Sequence, residues 1–286
     1  MITQPGIYQI PHDEYHRDPC PTPSLSSSLA KVLLKQSPAH AALMHPKLSP
    51  QYVNDESSRF DIGTMAHALL LENDNSRLVT IEADDWRTKA AKEARDEARA
   101  NGKLPILVKQ AASLLKMTGA ARTFIKTSEI ADFTFTAEQT LAWQEGPVWC
   151  RARPDWLSDG HDLILDYKTT DDASPDAAIR QVARMDYAMQ AAFYTRGSQA
   201  LGFATTFVFL FQEIEPPYAC SLIALSNAYL EIARAKVDKA IRTWRYCVGQ
   251  NHWPAYTDRI LYAEPPAWAL AEYEAQQVNA SEEWHK

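Results

Sequence analysis

Residues 153–168 read Arg-Pro-Asp-Trp-Leu-Ser-Asp-Gly-His-Asp-Leu-Ile-Leu-Asp-Tyr-Lys. Two short apolar segments flank a polar turn; Asp155 lies on the first, and Asp166 and Lys168 lie on the second. Side chains alternate along a strand, so Asp166 and Lys168 share one face. Pairing of the two segments as a hairpin brings Asp155 to that face as well. Two carboxylates converging with one ammonium suit metal-assisted phosphodiester cleavage. The carboxylates hold a hard divalent cation, and the lysine orients a water or neutralises developing charge. An Asp–Lys pair on a strand is also common as a solvated surface pair. Here Leu163-Ile164-Leu165 runs straight into Asp166 and reads as a core strand, and a charge in that position needs a partner or a metal.

These residues need elements to position them. Residues 1–24, with five prolines, read as an extended lead-in. Ser24 to Ser28 supply caps for a helix opening at Leu29-Ala-Lys-Val-Leu-Leu, and Ser37-Pro38 forms a second N-cap and first-turn pair. After a polar stretch at 47–58, residues 60–72 form an apolar helix. Residues 86–128 read as helical, charged early and apolar later. The alternation at 133–143 reads as a strand, which with 148–157 and 163–168 makes an antiparallel meander ending at Lys168. A helix at 177–201, strands at 205–211 and 218–225, and a long amphipathic helix at 228–247 follow. The end of the chain, 271–286, reads as a mobile acidic tail. Nothing forces a domain split, and the expectation is one domain over 1–286.

With 286 residues, 46% of them hydrophobic, the chain can bury a real core. No apolar run approaches a membrane span, and the first ten residues lack the pattern of a secretory signal, so a soluble cytoplasmic protein is expected. The four cysteines, Cys20, Cys150, Cys220 and Cys247, are scattered without a C-x-x-C pair, which argues against a zinc ribbon or a local iron–sulfur motif and for reduced thiols. A net charge of −7 argues against a protein that coats nucleic acid, though it allows a nuclease with one basic channel.

Gly63-Thr64-x-x-His67, Glu138, Arg153-Pro154-Asp155, Asp166-Tyr167-Lys168 and Gln190-x-x-x-Tyr194 occur in one order along the chain. Ser37-Pro38-Ala39-His40 precedes them and Pro265-Pro266-Ala267-Trp268 follows. In that order the chain resembles the PD-(D/E)XK nucleases, and within them the phage-type RecE and lambda-exonuclease branch, over about residues 20–270. The resemblance implies an α/β fold with a restriction-endonuclease-like core, a central mixed β-sheet flanked by helices. It implies an exonuclease that degrades one strand of duplex DNA 5′→3′ and leaves 3′ overhangs for recombination by single-strand annealing. A ring-shaped homo-oligomer, trimer or tetramer, and a single-strand annealing partner are also implied.

Residue by residue, the resemblance makes Asp155 and Asp166 the bridging carboxylates for Mg²⁺ or Mn²⁺, with two ions per site. The Tyr167 carbonyl adds an oxygen ligand, and Lys168 orients water or stabilises charge. His67, alone on an apolar helix, would otherwise read as a packing residue; after Gly-Thr it matches a metal-facing histidine. Glu138 becomes a second-metal ligand, with Glu145 its local competitor. Gln190 and Tyr194, spaced i and i+4, share a helix face and are assigned to the scissile phosphate. Ser26, Ser27 and Ser28 serve as caps and are a possible 5′-phosphate pocket. Arg151 and Arg153 share the parity of Asp155, so one braces a carboxylate and one touches the DNA backbone. The competing readings are an endonuclease on the same core and a catalytically idle DNA-end-binding protein.

Overall fold

The computed structural model describes residues 1–52, 62–72 and 78–283. It divides the chain into two units, Met1–Pro254 and Ala255–Lys286. The polar residues 53–58, together with Phe60 and Asp61, lie outside the described part.

The axis of the first unit is β8 (Leu163–Thr170), which pairs antiparallel with β7 (Trp156–Ser158) and parallel with β9 (Thr206–Glu213). β10 (Cys220–Ala224) lies beside β9 and β4 (Phe135–Ala137) beside β7, giving a mixed sheet of order β10-β9-β8-β7-β4. Alternation along the two central strands sorts their side chains into two cores. Ile164, Phe207, Phe209 and Phe211 pack with α2 (Ser27–Lys35), α8 (Tyr187–Ala200) and α9 (Asn227–Gln250). Leu163, Leu165, Tyr167 and Leu210 pack with α4 (Ile62–Glu72) and α6 (Val108–Thr127). Both faces are therefore covered, which is why these strands read as nearly continuous apolar runs. Asp166 and Lys168 share the parity of Ile164.

A second, three-stranded antiparallel sheet combines β1 (Gly6–Tyr8), β5 (Thr140–Glu145) and β6 (Val148–Ala152). Helix α8 presses against it so closely that a Cβ on Gly197 would lie 2.6 Å from the Trp143 ring. Two segments pass from one sheet to the other. β4 leads to β5 through Glu138, whose φ is +54°, and β6 leads to β7 through Arg153-Pro154-Asp155. The Glu138 N–H donates to the Asp155 carbonyl at 2.9 Å and ties the two crossings together.

The expected meander is corrected by this arrangement, because its strands are shared between two sheets and β8 has a parallel neighbour. The strand expected at 133–143 is broken at Glu138, since a left-handed residue cannot continue a ladder. The helix expected over 86–128 divides into α5 (Lys89–Ala100) and α6. Between them β3 (Leu104–Leu107) pairs in parallel with β2 (Leu78–Ile81). Gly102 at φ +67° ends α5, and Pro105, which lacks an N–H and clashes with the preceding turn, keeps one helix from running through 86–128. The helix expected at 177–201 is likewise two, α7 (Pro175–Met185) and α8, separated by Asp186 at φ +53°. Within the lead-in, β1 is followed by α1 (His12–His16). Ser26 and Ser37 cap α2 and α3 (Pro38–Leu43) as their spacing suggests. In the second unit α10 (Ala267–Glu283) starts just after Pro265-Pro266 and covers most of the acidic stretch. Among the described residues no helix is long and apolar enough to cross a membrane.

Candidate functional site

The site forms where β8 emerges beside the two sheet crossings. The register of β7 and β8 pairs Trp156 with Leu165, so Asp155, one residue back, stands opposite Asp166. Oδ2 of Asp155 accepts the backbone N–H of Tyr167 at 2.7 Å, and its Oδ1 lies 2.9 Å from His67 Nε2. His67 comes from α4 on the other face of the sheet and reaches around to this carboxylate. Asp166, almost wholly buried, contacts Lys168 Nζ through Oδ1 and accepts from Gln190 Nε2 at 2.7 Å through Oδ2. Glu138 accepts from Arg153 Nη2 at 2.7 Å, while Arg153 Nη1 donates to the Ile10 carbonyl at 2.9 Å. The Tyr194 hydroxyl donates to the Arg153 carbonyl at 3.3 Å.

Electrostatics follow from this crowding. Burial and the nearby charge of Asp155 push Asp166 up to about 6, against the pull of Lys168. Asp155 moves the other way. Burial opposes its ionisation, but His67, Lys168 and the Tyr167 N–H outweigh burial and hold it below the usual carboxylate range. His67 is raised despite its own burial, because Asp155 and Glu138 favour the imidazolium. Lys168 is raised for the same reason by Asp166 and Asp155. The pair of carboxylates is thus split, one ready to ionise and one reluctant.

The structure brings together His67, Glu138, Arg153, Asp155, Asp166, Tyr167, Lys168, Gln190 and Tyr194. It does not bring Arg151 with them. That guanidinium is buried 3.3 Å from Asp18 and beside Ser24, whose hydroxyl donates to Asp18 at 2.7 Å. His45 Nε2 completes the cluster at 3.0 Å from Asp18, which these partners hold far below the usual carboxylate range against the effect of burial. Glu145 is also elsewhere, in an ion pair with Arg196 at 2.6 Å. Ser26 is spent on its cap, and its hydroxyl lies 3.0 Å from that of Ser28; Ser27 is buried and Ser28 exposed.

Two residues at the site lay outside the motif reading. Tyr187, the first residue of α8, carries the Lys168 ammonium 5.0 Å from its ring centroid. Lys31 of α2 stands 5.2 Å from the same centroid. A signal was available for Lys31, a single charge inside the apolar run Leu29-Ala-Lys-Val-Leu-Leu.

Among the described residues no three metal-ligating side chains stand together at binding distance; His67 and Lys168 each contact one oxygen of the two aspartates. The donor set is nevertheless of the type hard divalent cations take, mostly carboxylate oxygen with one imidazole. Burial first, and the charge of Asp155 after it, raise Asp166, and a bound cation would offset both effects.

A family model described as a PDDEXK-like domain of unknown function (DUF3799) matches residues 26–265. No curated protein matches the chain. A solved structure from Eubacterium rectale, described as a candidate exonuclease, is 12% identical with a TM-score of 0.54. That alignment covers 92% of this chain and 98% of the other. An alkaline exonuclease from Laribacter hongkongensis is 16% identical with a TM-score of 0.30, over 57% of this chain and 84% of the other. The first of these likenesses bears on the fold.

Proposed function

The chain belongs to the PDDEXK-like family that its residues 26–265 match, and from that premise we propose that it is a metal-dependent exodeoxyribonuclease. The observation that carries this reading is Asp155 opposite Asp166 with Lys168 on the Asp166 carboxylate. PD-(D/E)XK enzymes generally use divalent metal ions, and here Asp155, Asp166, Glu138, His67 and the Tyr167 carbonyl would hold Mg²⁺ or Mn²⁺, two ions per site. A cation held there would supply Lewis-acid activation of water and neutralise charge on the phosphate.

The chain's own groups do the rest. Gln190 fixes the orientation of Asp166 through its amide hydrogen bond. Lys168, kept protonated by its carboxylate neighbours, stabilises the negative charge that develops on the phosphoryl oxygens. Arg153 braces Glu138, and Tyr194 steadies the backbone at Arg153.

The finer reading rests on the motif order. It is digestion of one strand of linear duplex DNA 5′→3′, leaving 3′ overhangs for single-strand annealing, by a ring-shaped homo-oligomer working with an annealing protein. The test is linear duplex DNA, phosphorylated at one 5′ end, incubated with the protein and Mg²⁺ beside a closed circle. Loss of the 5′-phosphorylated strand with the circle intact is the expected result. A nicked circle makes the enzyme an endonuclease. Binding of DNA ends without cleavage under any divalent ion makes it an end-binding protein instead.

A further inference from the structure

Helix α2 is firmly placed relative to the site. Leu25, just before it, donates its N–H to the Trp149 carbonyl at 2.8 Å and accepts from the Arg151 N–H at 2.9 Å, so the helix entry is bonded to β6. Leu29, Ala30 and Leu33 are buried in the core that includes Ile164 and Phe209. The opposite side of α2 presents Lys31, half-buried, and Lys35, exposed, one helical turn apart.

Lys31 differs from the site's other cations. Lys168 has Asp166, His67 has Asp155 and Arg153 has Glu138. Among the described residues none of the ion pairs includes Lys31. Its ammonium shares the Tyr187 ring with Lys168, so two cations stand at one aromatic ring, and only Lys168 of the two is paired with a carboxylate, Asp166. Burial and then the charge of Lys168 push Lys31 down to about 8 against the longer-range pull of Asp186 and Asp166. Those two carboxylates are ion-paired with Lys236 and Lys168 instead, which leaves room at Lys31 for an anion from outside the chain. In a chain with a net charge of −7, such a cation beside the carboxylates is a specific placement, not part of a general basic surface.

We propose that Lys31 binds a backbone phosphate of the DNA strand being cut, next to the phosphate that Lys168 faces, and that Lys35 extends the same contact line toward the following phosphate. This rests on the nuclease reading above. Lys31 acts on the phosphate charge directly, and the Tyr187 ring stands within about 5 Å of both ammonium groups. The side of α2 then serves as the rail along which the strand approaches Asp166.

The test compares wild type, Lys31→Gln and Lys31→Arg as full-length protein. Binding of a fluorescein-labelled, 5′-phosphorylated duplex is followed by anisotropy over a KCl series with Ca²⁺, and KM and kcat are measured with Mg²⁺. Loss of one phosphate contact makes the slope of log K against log salt shallower by about 0.9. The expected result for Lys31→Gln is that change of slope, an affinity about tenfold weaker at low salt, and a matching rise in KM larger than any fall in kcat. Lys31→Arg restores most of the loss. A Lys31→Gln protein with wild-type slope and KM, in an enzyme that cleaves DNA, overturns the Lys31 assignment and leaves the nuclease reading standing. A wild-type protein that neither binds nor cleaves DNA overturns the nuclease reading and this proposal with it.

Discussion

Asp155 accepts a 2.7 Å hydrogen bond from the backbone N–H of Tyr167, the residue between Asp166 and Lys168. The carboxylate of one sheet crossing is thereby anchored to the strand that carries the other two charged groups. An asparagine can accept the same bond without the charge. Asp155→Asn is therefore expected to remain folded, at a cost of about 1–3 kcal/mol, and to lose cleavage by a factor on the order of 10²–10³ or more. Circular dichroism and a single-turnover assay together check this. Near-normal turnover would remove Asp155 from the site.

Lys168→Ala and Asp166→Asn are expected to abolish cleavage with the far-ultraviolet spectrum retained. Substantial activity in either variant contradicts the active-site assignment.

Gln190→Leu leaves the buried Oδ2 of Asp166 without its donor. Partners that orient a metal ligand typically contribute about 10–100-fold in metal affinity. A titration of activity against Mg²⁺ should shift to higher concentration by that factor, with part of the activity recovered at saturation. An unshifted curve would mean that Gln190 does not act through Asp166.

The cluster of Asp18, Ser24, His45 and Arg151 makes a pH prediction away from the site. Asp18 is held below its unfolded value of 3.8, so its stabilising contribution is complete above about pH 4 and fades as pH falls through the folded value. Asp18→Asn should cost about 3–5 kcal/mol at pH 7 by leaving the buried Arg151 charge unpaired. Urea unfolding at pH 7 and pH 3 should show a smaller acid loss in the variant than in wild type. Equal acid losses would detach Asp18 from acid sensitivity.

Gly197→Ala forces a methyl group into the Trp143 ring, which lies 2.6 Å from the added carbon. Overpacking of this kind costs about 1–3 kcal/mol. Thermal unfolding should register that loss, while cleavage measured well below the transition stays close to wild type. An unchanged melting temperature would show that α8 and β5 can move apart freely.

Much of the site was legible in the sequence because its chemistry is local. Asp155, Asp166 and Lys168 fall within fourteen residues, and strand alternation alone puts the last two on one face. The mixed sheet flanked by helices followed from the resemblance, and the order β10-β9-β8-β7-β4 agrees with it. What escaped depends on contacts between distant segments. The parallel pairing of β8 with β9 spans a two-helix crossover that alternation cannot encode. The break at Glu138 needs a left-handed residue of a type that seldom adopts it. Arg151 has the right parity for the site, yet Asp18, more than a hundred residues earlier, draws it into the interior. Lys31 reaches Tyr187 only because Leu25 fixes its helix against β6.

The bond between the Glu138 N–H and the Asp155 carbonyl has a mechanical side. It spans the seam at which both strands change sheets, so the hairpin of β5 and β6 is joined to the five-stranded sheet at Glu138 and Asp155. Asp155 is carried at that seam and Asp166 by the central strand, so the seam and the Tyr167 N–H bond together set the spacing of the two carboxylates. The seating of a distant hairpin, by Trp143 against Gly197 and by Glu145 against Arg196, thus bears on the separation of two carboxylates that the proposed function asks to share a cation.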